Sequence, residues 1–456
     1  ARSFPVSEKQ TNMSLERIDT AWRDLAFTQF HDILAGTSIP SSYVSTRHMQ
    51  GRAAIMGEEE IVRITRRHAR ASLPREDSQR LVIMNGCAHP FDGHIECEPF
   101  IDFDDWGDRW FADEDGMPVP FQLIASEPNT GPMVHRAVLP ATVPARGHRI
   151  LKLLKGGAPA PVTPPSPTQA RGLKVSNGLI AANLDTRGIR SLRWNKRELL
   201  GQHGLSLHLR EDQGDTWVFH HTAFNDDVLA RIGGLEWVME DEGPLRTRLF
   251  ADQVLGDSKI RIGVTLHAGQ PELHLHLQVV FAERHKILQM PVQLAAQPGG
   301  WTSGLAGGHV SRKPGPDEMP FCSWDSVQMP GASLSLHTPD AYSSRLLDDT
   351  WQLSLLRAPL MAWTGDPGLP PAFSRRHSDQ GWHDFHFILR VEDTFDPARC
   401  GRISDHQAKP PVVFDHYEGM NRPAWGNAPP RRLWTPDIPR ALSLGHMKHL
   451  DEIAQE

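Results

Sequence analysis

The residues best suited to chemistry lie in one short apolar segment, residues 28–37, which reads Thr-Gln-Phe-His-Asp-Ile-Leu-Ala-Gly-Thr. Its His31 and Asp32 could bind a ligand, because an imidazole nitrogen can coordinate Zn²⁺ while a carboxylate orients the ring or contacts the ligand. Consecutive side chains on a helix point about 100° apart, so the two residues would have different roles. The spacing alone favours a partly buried histidine beside a solvated aspartate, since one ligand does not make a zinc site.

Histidines elsewhere in the chain form three weaker patterns. His274 and His276 are two residues apart in an alternating strand, so they share a face and could hold a metal together. The adjacent pair His220-His221 would point to opposite faces of a strand. The His-x-Asp spacing of His377-Ser378-Asp379 lacks a second ligand pair. Solvated strand faces and an ordinary loop are the plainer interpretations of all three patterns.

Apolar periodicity predicts a helical hairpin around the first segment. Ser14 suits an N-cap, and apolar side chains then recur three or four residues apart, at Leu15, Ile18, Trp22 and Leu25. Gly36 suits a helix end, and a second helix is predicted from about residue 41 to 71, before Pro74. Two antiparallel helices bury little surface by themselves, so the hairpin should pack against something else.

After Gln79 the pattern becomes that of an all-β protein, with Pro, Gly and Asp interrupting the chain every ~8–15 residues. The clearest predicted strand is 272–278, where leucines alternate with polar residues. Residues 156–169 contain five prolines and are predicted to form a semi-rigid linker. From Cys400 onward we predict a mostly irregular tail wrapping the β domain, with a short helix near residues 448–454.

These patterns predict a mainly β fold with a short N-terminal helical hairpin. A β-sandwich and a large antiparallel β super-sandwich of the mutarotase-like type would follow it. The predicted domains are a helical domain (1–76), a small β-sandwich (77–158), a Pro-rich linker (159–170) and the large β domain with its irregular tail (171–456).

Composition excludes several classes of protein. The 456 residues carry 48 Lys and Arg against 55 Asp and Glu, a net charge of -7, which argues against a nucleic-acid binder. No apolar run of ~18 residues predicts a membrane span, and the chain does not open on a signal peptide. Four cysteines without a C-x-x-C motif favour free thiols and a cytoplasmic location. Phosphate-binding loops, G-x-S-x-G and H-E-x-x-H are absent from the sequence.

The segment from Trp22 to Thr37 resembles glycoside hydrolase family 38, the α-mannosidases, whose central helical domain carries a W-x-x-L-x-x-x-Q-F/H-H-D-x-x-x-G-T pattern. Further motifs follow in the order of that family, and together they cover most of residues 14–390. They are Ser176-Asn177-Gly178, Gly188-Ile189-Arg190-Ser191-Leu192, Asp215-Thr216-Trp217, Gly243-Pro244-Leu245-Arg246, Glu283-Arg284-His285-Lys286, Leu353 to Arg357, and Asp379-Gln380-Gly381 with His383 and Phe385.

The resemblance implies a zinc-dependent, retaining α-mannosidase with the metal ligand His31 and the substrate-contacting residues Asp32, Asp215 and Trp217. The family begins with a catalytic α/β barrel that holds the other zinc ligands, the nucleophile and the general acid, none of which precedes Ala1. We therefore expect no catalytic residue in this chain, weak zinc binding and no hydrolysis by the chain alone. The implied partners are α-mannosides and the missing barrel, in cis or in trans.

The sequence also departs from the family. Phe281-Ala282 stands where the family has Asp-Trp, and residues after Cys400 match poorly. An alternative is a stand-alone carbohydrate-binding or assembly module without catalysis. That module would present a tryptophan on a β surface, and the candidates are Trp106, Trp110, Trp217, Trp301 and Trp425, although a buried core position is the commoner place for tryptophan.

Overall fold

The computed structural model describes residues 8–72, 78–101, 106–126, 136–212, 214–217, 227–364 and 376–416. The predicted helix near 448–454 lies outside these residues, as do His220-His221 and Trp425. The chain divides into two compact units. One contains residues up to 162 together with the segment that begins at 410, and the other spans 163–409. The border at 162/163 falls in the proline-rich stretch.

The helices are α1 (Glu8–Phe27), α2 (His31–Leu34), α3 (Pro40–Ser72) and α4 (Pro397–Ala408). The strands of the first unit, numbered along the whole chain, are β1 (Gln79–Met84), β2 (Phe91–Cys97), β3 (Arg109–Ala112), β4 (Pro118–Val119), β5 (Gln122–Ile124), β6 (Arg136–Val143), β7 (His148–Lys155) and β29 (Val412–His416).

The strands of the second unit are β8 (Gln169–Arg171), β9 (Lys174–Ser176), β10 (Ile180–Asp185), β11 (Gly188–Trp194), β12 (Arg197–Glu198), β13 (Leu200–Leu205), β14 (His208–Glu211), β15 (Val228–Arg231), β16 (Val238–Glu242), β17 (Arg246–Leu255), β18 (Ser258–His267), β19 (Glu272–Phe281), β20 (Lys286–Leu294), β21 (Gly300–Leu305), β22 (Gly308–Arg312), β23 (Met319–Pro320), β24 (Trp324–Met329), β25 (Ala332–His337), β26 (Ser343–Leu347), β27 (Thr350–Arg357) and β28 (Gly381–Glu392).

The first unit begins with the predicted helical hairpin, in which α1 runs against α3. Polar contacts join the two helices: Arg52 Nε and Nη2 each lie 2.6 Å from a carboxylate oxygen of Asp24, and Arg17 Nε lies 2.8 Å from Glu60 Oε1. Asp24 and Glu60 are buried. The hairpin is therefore closed by charge-assisted hydrogen bonds, which are stronger than neutral ones.

The β part of the first unit consists of two small antiparallel sheets. Their orders are β29-β1-β7-β3-β4 and β2-β6-β5. Apolar side chains from both sheets form one buried core that includes Leu81, Ile95, Phe111, Leu139 and Leu151.

The prediction of an irregular tail after Cys400 is wrong for the described residues. Helix α4 begins at Pro397 because the side chain of Asp396 accepts a 2.9 Å hydrogen bond from Ala398 N, and proline suits the first helical position. Strand β29 then pairs antiparallel with β1, in a register that places Arg80 opposite His416 and Met84 opposite Val412. This pairing places β29 in the sheet of the first unit.

Two antiparallel sheets build the second unit, and their facing sides share one apolar core. The longest path of the twelve-stranded sheet runs β23-β26-β27-β20-β13-β11-β10-β9-β8, and the nine-stranded sheet runs β16-β17-β18-β19-β28-β25-β24-β21-β22. Strand β19 alternates buried and half-buried residues, as its sequence predicts. The mainly β class with a helical hairpin is therefore confirmed.

Two further features bear on the sequence predictions. Within the described residues, no helix combines the length and hydropathy that a membrane span needs. Cys87, Cys97, Cys322 and Cys400 form no disulfide bonds with one another, and only Cys322 is exposed.

His337 links α4 to the nine-stranded sheet through hydrogen bonds, and its burial predicts that the protein is less stable at acidic pH. The ring is fully buried, with Nδ1 3.0 Å from Ser404 Oγ and Nε2 3.0 Å from Ser335 Oγ. Burial lowers the pKa of His337 from 6.5 to about 3. Between these two pH values the unfolded chain binds a proton that the folded chain does not. The free energy of unfolding therefore decreases as the pH is lowered, by up to about 1.4 kcal/mol per pH unit.

Urea unfolding at several pH values between about 4 and 7 measures this slope. We expect His337→Gln to flatten it and His309→Gln, at an exposed position, to leave it unchanged. An identical slope in His337→Gln and in the unmodified chain would contradict this role for His337.

Candidate functional site

His31 and Asp32 lie at the turn between α1 and α3, as the first residues of the one-turn helix α2. The chain leaves α1 at Phe27, and Gly36 ends the turn with a φ of 75°, a conformation that glycine adopts readily. The histidine side chain is 78% exposed and that of the aspartate 41%. The structure therefore presents both groups at the surface of the first unit, which differs from the partly buried histidine favoured by spacing alone.

Hydrogen bonds fix the aspartate but not the histidine in this turn. Thr37 Oγ1 donates to Asp32 Oδ1 at 3.1 Å, and Tyr43 Oη donates to the Asp32 carbonyl at 3.1 Å. His31 Nε2 lies 3.6 Å from Asp32 Oδ2, beyond an ordinary hydrogen bond. The turn thus offers an oriented carboxylate beside an accessible imidazole.

These two residues fit a zinc ion only as part of a larger ligand set. Structural and catalytic zinc sites use about three or four protein ligands. Within the described residues, no group of three His, Cys, Asp or Glu ligand atoms includes His31. The donor types suit zinc, so His31 could serve as one ligand if the others come from outside the described residues.

The second candidate region is the loop that contains Asp215 and Trp217 in the second unit. Arg357 holds this loop: its Nε lies 2.7 Å from Asp212 Oδ2, and its Nη2 donates to Asp215 O at 2.8 Å. Thr216 Oγ1 donates to Leu360 O at 2.6 Å. Asp215 is buried and Trp217 half-buried. The loop is therefore fixed against the segment that follows β27.

Two other motifs reach the same segment. His285 N donates to Ala358 O at 2.8 Å, and Asp379 Oδ2 accepts a 2.9 Å hydrogen bond from Arg357 N. Both His285 and Asp379 have positive φ, 52° and 54°, which is uncommon for residues other than glycine. Burial raises the pKa of the Asp379 carboxyl. We call this region the motif cluster: Asp212, residues 214–217, 282–286 and 357–361, and residues 376–381.

The motif cluster brings together sequence motifs that are far apart along the chain. Asp215-Thr216-Trp217, Glu283-Arg284-His285-Lys286, Arg357 and Asp379-Gln380-Gly381 all contribute to it. Backbone of unusual conformation and buried charged groups collect in functional sites. The carboxylates of the motif cluster are of the kind that binds sugar hydroxyls, and its Trp217 indole is of the kind that packs against a sugar ring.

The metal candidates of strand β19 are not brought together around one ion. His274 Nε2 lies 3.0 Å from Glu272 Oε1, whereas His276 Nε2 lies 3.0 Å from Asp384 Oδ1. Each imidazole therefore has its own carboxylate, and a shared metal between His274 and His276 is not supported by the geometry.

The tryptophan candidates also fall mainly inside the fold. Trp106 and Trp301 are buried, and Trp110 and Trp217 are half-buried. Trp301 donates its indole N–H to the buried Asp325, which explains its place in the core. No broadly exposed tryptophan platform occurs among the predicted candidates that the structure describes.

Gly214 tests how tightly the Asp215 loop is held. A Cβ on this residue would lie 2.4 Å from Arg357 Nη2, so Gly214→Ala must displace the guanidinium from Asp212 and Asp215. We expect it to lower the free energy of unfolding by about 2 kcal/mol. Gly233→Ala is the matched control, because nothing lies within 4 Å of the Cβ it would add. Equal urea midpoints for the two variants would show that the loop is not held by Arg357.

Comparisons with known proteins identify the class of fold. The chain matches the crystal structure of an alpha-mannosidase from Enterococcus faecalis V583 with a TM-score of 0.71 and 14% identity, covering 88% of this chain and 53% of that one. It matches a protein of the glycosyl hydrolase family 38 from the same species with a TM-score of 0.68 and 13% identity, covering 89% and 56%. The chain thus spans about half the length of these structures and shares their fold.

The match to a family model lies in the second unit. Residues 175–365 match the model of the glycosyl hydrolases family 38 C-terminal domain. This part of the chain is therefore similar to that domain, and the resemblance predicted from the sequence is confirmed. No curated protein sequence matches the chain.

Proposed function

We propose that the chain is the C-terminal part of a zinc-dependent, retaining α-mannosidase-type glycoside hydrolase. In this proposal His31 of the first unit supplies one metal ligand and Asp32 contacts the sugar. Asp215 and Trp217 are proposed separately as substrate-contacting residues of the second unit. The family 38 domain at residues 175–365 supports the glycosidase class. One solved structure of the same fold is that of an alpha-mannosidase, which supports α-mannosides as the substrate class.

The exposed apolar surface of the helical turn is the observation that best supports the proposal. Several large apolar side chains around His31 are at least 55% exposed, namely Trp22, Phe27, Phe30, Leu34 and Ile39. Contiguous exposed apolar surface marks interaction sites. Since α1 and α3 are joined instead by arginines that pair with the buried carboxylates of Asp24 and Glu60, this surface is available to a partner. We propose that it docks onto the catalytic barrel, in cis or in trans, and places His31 at the barrel's metal.

The roles of this chain's residues follow from their chemistry. A neutral imidazole of His31 would donate a nitrogen lone pair to the metal. Asp32, oriented by Thr37, would accept a hydrogen bond from a sugar hydroxyl. Bound zinc would supply Lewis-acid polarisation of mannose hydroxyls. The two catalytic carboxylates, about 5 Å apart in retaining enzymes, would belong to the barrel. The chain alone would therefore be inactive.

A reconstitution experiment tests this proposal. The chain is expressed alone and together with the family 38 barrel encoded in the same genome. Two quantities are measured for each preparation: the hydrolysis of a chromogenic α-mannoside, and the zinc content that remains after dialysis against a weak chelator. We expect hydrolysis and retained zinc only in the combination. Barrel activity that is indifferent to this chain, or equal hydrolysis by the chain alone, would reject the proposal.

We also propose a cytoplasmic location. Its support is chemical, because cysteines that form no disulfide bonds are typical of proteins kept in a reducing compartment.

A further inference from the structure

Two histidines of the motif cluster face each other across a short gap. His285 Nε2 lies 3.3 Å from His377 Nε2, although the residues are 92 positions apart. Their ring centroids are 4.9 Å apart, and the ring planes are nearly perpendicular at 88°. His285 is exposed and His377 half-buried, so solvent ions can reach the pair.

The backbone holds both histidines against the same segment. On one edge of residues 358–361, His285 N donates to Ala358 O at 2.8 Å. On the other edge, Ser378 N donates to Pro359 O at 3.0 Å and Met361 N donates to Arg376 O at 2.9 Å. Hydrogen bonds to both edges of this segment therefore position the backbone of the two histidines, and the fold sets their separation.

The separation of the two nitrogens suits a metal ion. Two imidazole nitrogens that bind one ion at about 2.0–2.1 Å with a tetrahedral angle lie about 3.3–3.4 Å apart. A nitrogen–nitrogen hydrogen bond is commonly shorter, as between His68 Nε2 and His148 Nδ1 at 3.0 Å. The rings of His276 and His386 are instead stacked nearly parallel, at 16°, which does not direct their nitrogens at a common point.

We infer that His285 and His377 form a binding site for a divalent transition-metal ion such as Zn²⁺ or Co²⁺. Imidazole suits these ions, and water would fill the remaining positions. Both rings would carry their proton on Nδ1, which leaves each Nε2 lone pair for the ion. The site joins the 282–286 loop to the 376–381 loop of the motif cluster, and it is independent of the proposed zinc ligand His31.

The ligand count sets the expected affinity. Within the described residues, no third His, Cys, Asp or Glu ligand joins this pair. Two fixed imidazoles are expected to bind in the micromolar range, more weakly than a complete three- or four-ligand zinc site. Loss of either imidazole removes the chelate and should weaken binding by about tenfold or more.

Calorimetric titration of the metal-stripped chain with ZnCl₂ near pH 7.5, above the ordinary histidine pKa of about 6.5, tests the inference. Co²⁺ absorption gives a second, spectroscopic readout of nitrogen coordination. The variants are His285→Asn and His377→Ala, because asparagine tolerates the positive φ of His285. His203→Ala and His309→Ala, both at exposed positions, are the controls, and circular dichroism checks that each variant folds.

We expect a saturable binding step that is weakened by about tenfold or more in His285→Asn and His377→Ala and unchanged in both controls. Unchanged affinity in the two site variants, or the absence of saturable binding to the unmodified chain, would overturn the inference. Because no barrel is present, this result is separable from the reconstitution test, in which retained zinc depends on His31.

Discussion

In the assembled hydrolase, His31→Ala is expected to lose tightly bound zinc and α-mannoside hydrolysis together, with kcat/KM falling by about 100-fold or more. The reason is the position of the imidazole at the exposed end of the helical turn, where it can complete a ligand set supplied by a partner. Zinc content after chelator dialysis and steady-state kinetics measure the two effects in the same preparation.

Asp32→Asn separates ligand binding from substrate contact in that experiment. It should keep the zinc and lower the rate, because the carboxylate is oriented by Thr37 and does not need to hold the metal. His309→Ala, at an exposed position of the second unit, should change neither quantity. Full turnover in His31→Ala would remove this residue from the metal site.

The largest effect on stability is expected from Asp325→Ala. Asp325 is fully buried and joins the two sheets of the second unit. Within the nine-stranded sheet it accepts hydrogen bonds from Trp301 Nε1 at 2.9 Å and Ser303 Oγ at 2.8 Å. From the twelve-stranded sheet it accepts them from Ser344 Oγ at 2.5 Å and Trp351 Nε1 at 2.9 Å. Burial raises the pKa of this carboxyl, and the four donors lower it.

Removal of the Asp325 carboxylate leaves four buried donors without their acceptor. At about 1–3 kcal/mol for each unsatisfied group, the free energy of unfolding should fall by at least about 4 kcal/mol. Asp325→Asn should also destabilise the protein, because its amide nitrogen would face donors. Urea unfolding measures the change. The exposed Asp317→Ala is the matched control, expected within about 0.5 kcal/mol of the unmodified chain. A similar midpoint for Asp325→Ala and Asp317→Ala would contradict this account of the core.

Local patterns in the sequence predicted much of the fold. The alternation in 272–278 became strand β19, because half-buried sheets repeat every two residues. The three- and four-residue spacing after Ser14 became α1. The same spacing could not show that Trp22 is exposed. The face that α1 turns toward α3 depends on contacts between distant residues, such as Arg17 and Glu60, which are 43 residues apart.

The parts that could not be predicted depend on contacts between distant segments. Residues 212, 285, 357 and 379 meet in the motif cluster through the order of the strands in both sheets of the second unit. The role of Asp325 depends on four donors from three strands, and nothing in the sequence next to it marks it. By contrast, Asp396 followed by Pro397 is a local helix-start signal that predicts α4, and the Pro- and Gly-rich composition after Cys400 obscured it.

The most direct test of the family 38 account is to sequence the gene upstream of the codon for Ala1, together with its neighbouring genes. The account predicts a reading frame of several hundred residues, in cis or in a separate gene, that encodes a barrel with a His-x-Asp zinc pair and a later strand-end aspartate. A stop codon directly before this chain, in a genome without any such barrel, would contradict it.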